Sequence, residues 1–100
     1  MTHSLYTSET MRWRLSDVTL NDAAVNNTTN APDTFTYDVR DNHGASLANT
    51  GNFAYDTTAE AWDAVITLPA TAGRYHLHAA ITKGSSAGFF HESIVVQART

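Results

Sequence analysis

The sequence predicts an all-β fold: a two-layer antiparallel sandwich of six or seven short strands, with residues 1–100 forming a single domain. Three observations predict it. At 100 residues the chain is the size of one domain, and a second independent core does not fit. It carries fifteen Thr but one Lys and three Glu. Thr suits a pleated surface, whereas Lys and Glu are helix formers. Apolar residues recur with period two in runs bounded by turn residues, and no stretch of about a dozen residues holds a 3.6 period. Net charge is -4 and aromatics make up 10% of the chain, a composition unlike that of disordered chains.

Each element follows from that alternation. Residues 1–9 are expected to be a loose N-terminal segment. In Met11-Arg12-Trp13-Arg14-Leu15 the apolar members share one side, and Val18 and Leu20 extend the set past a break at Ser16-Asp17. Residues 26–33 form a polar loop around Pro32, too polar to bury. Phe35, Tyr37 and Val39 then point inward, and Asp41-Asn42-His43-Gly44 reads as a tight hairpin turn. The return strand is polar, with Leu47, Phe53 and Tyr55 as its core contacts. Thr57-Thr58-Ala59-Glu60 matches a capping box, read here as one turn between strands. Trp62, Ala64, Ile66 and Leu68 alternate up to Pro69. Tyr75, Leu77, Ala79 and Ile81 make the strongest strand, residues 83–88 a flexible hairpin loop, and Phe90, Ile94 and Val96 the last strand. Residues 98–100 are expected to be a frayed tail.

The stretch from Asp33 to Val96 carries a recognisable series of landmarks. They are Asp33-Thr34-Phe35-Thr36-Tyr37-Asp38-Val39-Arg40-Asp41 with Gly44 in the turn, Trp62-Asp63-Ala64-Val65-Ile66-Thr67-Leu68-Pro69, Gly73-Arg74-Tyr75-His76-Leu77 and Glu92-Ser93-Ile94-Val95-Val96. The series resembles small immunoglobulin-like sandwiches of phage and prophage structural proteins and of bacterial surface proteins. The resemblance covers about two thirds of the chain and implies a scaffold or interaction role, with no catalytic residue carried over. The chain has no Cys, so it lacks the cysteine pair of antibody domains, and no immune function follows from the likeness.

Composition narrows the function classes. A mildly acidic chain with pI ≈ 5.6 offers no cationic patch for nucleic acid. No run of about 18 apolar residues is present to insert into a membrane. Met1-Thr2-His3-Ser4 does not begin a secretory signal, so the cytoplasm is the default location, with a virion as the other candidate. Absence of Cys excludes disulfides, thiolate metal sites and thiol nucleophiles. There is no Gly-x-Ser-x-Gly elbow and no paired carboxylate at a catalytic spacing, so no enzyme activity and no cofactor are expected.

Two sets of residues remain. His76 and His78 lie two apart on a strand whose other residues face the core, so both project outward. Pairing Leu77 with Ile94 and Ile81 with Phe90 sets Ala80 opposite His91 and makes His91 a diagonal neighbour of His78, roughly 7–8 Å away. His76, His78 and His91 are therefore the candidate metal ligands, against the plainer reading of a solvated face. Arg12 and Arg14 project outward on either side of an inward Trp13, a combination found at interface anchors, against the plainer reading of Trp13 in the core and two solvated arginines. Phe89 and Val95 make an outward apolar strip of the kind that marks contact surfaces. The expected function is a non-catalytic structural or assembly domain, partnered by protein through self-association or docking into a larger assembly. The alternative is a ligand-binding module, for carbohydrate on an exposed Trp13 or Trp62 or for metal on the histidines.

Overall fold

The computed structural model describes residues 5–20, 22–28 and 30–98. These form ten strands and no helix: β1 (Leu5–Tyr6), β2 (Thr10–Ser16), β3 (Thr19–Leu20), β4 (Ala23–Ala24), β5 (Thr34–Arg40), β6 (Ser46–Asn52), β7 (Ala54–Asp56), β8 (Ala61–Thr67), β9 (Gly73–Lys83) and β10 (Ser86–Gln97). Five strands make one sheet in the order β1-β10-β9-β5-β6, and three make another in the order β2-β8-β7. A separate hairpin, β3-β4, lies between them in sequence. Every pairing is antiparallel except β1 with β10. The shortest dimension, 20 Å, is that of two layers stacked about 10 Å apart.

Alternation places the core between the sheets. The small sheet contributes Trp13, Trp62, Ala64 and Ile66; the large one contributes Phe35, Val39, Leu77, Ala79, Ile81, Ile94 and Val96. Val39, Ile66, Leu77, Ile81 and Val96 are the largest fully buried side chains, each worth about 1.5–3 kcal/mol of transfer free energy. The chain changes sheet at Phe53, between β6 and β7. Its amide donates to the Phe35 carbonyl at 2.8 Å, and its ring packs 4.4 Å from Phe35 and 5.4 Å from Trp13. Hairpin β3-β4 closes one end of the core with Val18, Leu20 and Val25. The Trp62 indole N–H donates to the Val25 carbonyl at 3.0 Å and ties that hairpin down.

The turns obey local chemistry. Asp41 accepts the amides of His43 and Ala45 on Oδ1, at 2.8 and 3.0 Å, while Gly44 takes the positive φ of 85°. Residues 57–60 are a single turn, as expected, and Asp56 Oδ1 accepts the amides of Thr58 and Ala59.

Several expectations need correction. The strands number ten rather than six or seven, because β1, β3, β4 and β7 are only two or three residues long. The N-terminal segment is not loose from Leu5 onward, since Leu5 and Tyr6 pair with Val96 and Gln97. Leu47 is 41% exposed rather than a core contact. The β5-β6 register jumps between Val39↔Asn49 and Arg40↔Ser46, and this irregularity, with Ala48 at a φ of 57°, takes Leu47 out of the alternation. The loop expected at 83–88 is a two-residue turn, Gly84-Ser85, with Ser86 already paired to Lys83. Only the first central residue, Gly84, has positive φ (59°), the pattern of a type II′ turn. The β9-β10 register consequently sits two residues from the expected one: Ile94 faces Tyr75, Phe90 faces Ala79, and His91 faces His78. Of the expected frayed tail, Ala98 lies beyond β10 and residues 99 and 100 fall outside the described residues.

Candidate functional site

Both sheets expose an edge on the same side of the molecule. β2 is the edge of the small sheet, and among the described residues β1 covers β10 only at Val96 and Gln97. A cleft of ≈ 570 Å³ lies between these edges, lined by Leu5, Met11, Trp13, Leu68 and Ile94 with Glu9, Arg12, Arg14 and Glu92. A second hollow, ≈ 490 Å³, shares Trp13, Arg14 and Glu92 and reaches Phe89, Phe90 and His91. The open side is thus an apolar trough with charged residues of both signs along it.

Of the residues expected at an interface, the structure brings Arg12, Trp13, Arg14 and Phe89 to this side. Val95 is outward and 54% exposed, but it does not line the trough. Trp13 points inward, as the alternation of β2 has it: it is 4% exposed and forms part of the trough wall from within the core. Trp62 is 7% exposed, so neither indole is a solvent platform for a sugar. Phe89 is the most exposed large apolar residue, at 79%. Arg14 is engaged: its Nε and Nη2 donate to the two Asp63 oxygens at 2.7 and 2.8 Å, and Nη2 also donates to Asp56 at 3.1 Å. The Arg14 hydrogen bond holds the Asp63 carboxyl below its usual range, against the opposing effect of partial burial. Arg12 lies opposite Val65 on the outward face of β8.

The histidines occupy the outer face of the large sheet. His91 lies directly across from His78, with ring centroids 6.0 Å apart and planes inclined by 28°. His76 faces Ser93 instead, with Nδ1 3.0 Å from the hydroxyl. Burial first, then the charges of Arg40, His91 and His76, push the His78 imidazole below its ordinary pKa; Asp38 opposes them. Asp38 pairs with His78 in register from β5 and is held by Arg40 at 3.1 Å and Ser46 at 2.7 Å. Among the described residues no group of three or more His, Cys, Asp or Glu is placed to hold a metal ion. The three histidines therefore separate into a facing pair and a third that bonds Ser93.

Sequence reasoning sets aside Glu92, on parity, and Asp38, as part of the hairpin turn. Glu92 falls on the core-facing parity, opposite Leu77, yet it is exposed because the trough opens beneath it. A lone Glu among inward positions of the last strand was the available signal. Asp38 becomes a neighbour of His78 only through strand order, which alternation does not encode. Compared with known proteins, the chain matches no family model, no curated protein and no solved structure.

Proposed function

We propose that this chain is an immunoglobulin-like interaction module with a non-catalytic structural or assembly role, working by adding a strand from a second copy of itself along the open side. A phage or prophage particle is the setting that the sequence resemblance favours. Strand order supports the fold reading. β2-β8-β7 corresponds to the B-E-D part of the immunoglobulin arrangement, and β10-β9-β5-β6 to G-F-C-C′. The Tyr75 hydroxyl donates to the Thr71 carbonyl at 2.5 Å, the bond of a tyrosine corner.

The observation that carries the functional reading is that, among the described residues, most of the β10 edge and the edge of β2 beside it have no neighbouring strand. In the immunoglobulin arrangement another strand flanks the counterpart of β2, and here that position is the trough. Exposed edge strands are templates for strand addition. An antiparallel pairing of two β10 strands is self-complementary, as a two-fold interface requires, and Phe89 supplies an apolar anchor at the seam.

The test is light scattering of the purified protein over a range of concentration, alongside Phe89→Asp. Concentration-dependent dimerisation that Phe89→Asp abolishes, with an unchanged circular dichroism spectrum, supports the proposal. A wild-type protein that stays monomeric at millimolar concentration sinks it.

A further inference from the structure

The histidine pair lies on the outer face of the large sheet, where His91 also borders the second hollow, and its geometry is argued without strand addition. We propose that His78 and His91 together form a surface site for a divalent transition-metal ion of the copper, nickel or zinc class, with water completing the coordination.

Directly opposed residues of an antiparallel pair have Cβ atoms about 4.5–5.5 Å apart. Two imidazole nitrogens on one metal, each about 2.0–2.1 Å from it, sit roughly 3 Å from each other. The rings already share a face at a centroid distance of 6.0 Å, and rotation about the side-chain bonds brings one nitrogen of each to that spacing. Among the described residues, no ring nitrogen of His78 or His91 is in a protein hydrogen bond that binding would break, whereas His76 shares Nδ1 with Ser93. His76 is therefore left out of the site. A two-residue step along β9 also sets it farther from His91 than His78 is.

The charged and titratable groups around the pair are Asp38 and Arg40 on β5 and His76 on the same strand. Arg40 opposes a cation, but its charge is offset by the ion pair with Asp38 at 3.1 Å. The neutral imidazole is the form that ligates metal. Imidazole ligands place copper above nickel and zinc in affinity.

The experiment uses the full chain carrying His3→Ala and His43→Ala, which leaves His76, His78 and His91 as its histidines. Zinc chloride is titrated while imidazole resonances are followed by NMR, and copper(II) is added separately for electron paramagnetic resonance. His78 and His91 are expected to shift together and saturate at one zinc per chain, with copper showing two imidazole nitrogens. His91→Gln and His78→Gln each weaken binding about 10–100-fold, and His76→Gln leaves it within a factor of about two. Circular dichroism checks that each variant remains folded. Absence of saturable shifts at millimolar zinc overturns the proposal. So does a His76→Gln loss as large as that of His91→Gln, which would place the ligands elsewhere on the sheet.

Discussion

At the scale of single residues, Gly51 shows why a polar strand without core side chains still holds its register. It sits opposite Tyr37, and a Cβ built on it meets the Tyr37 ring at 2.6 Å. The ring lies over the glycine backbone, so the absent side chain is what lets Tyr37 cover the β5-β6 pair. Gly51→Ala is expected to destabilise the fold by about 1–3 kcal/mol through overpacking. Adding Tyr37→Leu should recover part of that loss, a coupling that urea unfolding of both singles and the double variant measures. Acid sensitivity is a second residue-scale property. Hydrogen bonds from Arg14 hold the Asp63 pKa below the ordinary carboxyl range, and the backbone amides of Ala45 and His43 do the same for Asp41. A carboxyl whose folded pKa is depressed contributes stability that is complete above its unfolded value and disappears as pH falls through the folded one. The urea midpoint should therefore owe these groups no change between roughly pH 5 and 7 and should drop below about pH 4. Asp63→Asn should lower the neutral-pH midpoint and flatten the acid slope.

At the scale of elements, the β3-β4 hairpin is held by ties from outside itself, among them the Trp62 indole on the Val25 carbonyl and Asn30 Nδ2 on the Ala24 carbonyl at 3.4 Å. Two residue pairs make a marginal hairpin, and this one is anchored by Val18, Leu20 and Val25 in the core and by the Trp62 indole on the Val25 carbonyl. Trp62→Phe keeps an aromatic ring but leaves that carbonyl without the indole N–H, a cost of about 1–3 kcal/mol. Amide exchange in β3 and β4 should accelerate more than exchange in β9. Such tertiary ties were invisible in the sequence, whereas the long strands were not. Trp13, Phe35, Val39, Trp62, Ile66, Leu77 and Ile81 are buried where alternation puts them, because a half-buried strand must hide every second residue. Register was less legible. Moving the β9-β10 pairing by two residues keeps every side chain on its face, so hydrophobic pattern alone does not distinguish the alternatives. The choice rests on Gly84 taking the positive-φ position of the turn. That shift makes His91 the direct partner of His78. The β5-β6 irregularity hid Leu47 from the same logic, since an interruption breaks the parity on which the reading depends. The trough was illegible for another reason: it is made by edges, and alternation says which way a side chain points but not which strand lacks a neighbour.

For the whole molecule, the asymmetry between a covered centre and a bare side should appear in hydrogen exchange. β9 has β10 on one side and β5 on the other, and Tyr75, Leu77, Ala79 and Ile81 are buried beneath it. Its amides open only when the large sheet comes apart, so they should be the slowest in the protein and report global unfolding. β10 is paired to β9 from Ser86 to Val96, but among the described residues it meets β1 only at Val96 and Gln97. In an antiparallel ladder, successive amides point alternately toward one neighbour and the other. Monomeric protein should accordingly show alternating fast and slow exchange along β10 from Ser86 to Ile94, giving way to uniform protection where β1 begins. β2, the bare edge of the small sheet, should alternate in the same way against β8. If a second copy adds a strand to β10, raising the concentration slows the fast set on β10 and leaves β2 unchanged; if the added strand lies on β2, the order reverses. Uniform slow exchange along β10 in a protein proved monomeric by light scattering would mean that the edge is already covered, and the trough would then not be open to a partner.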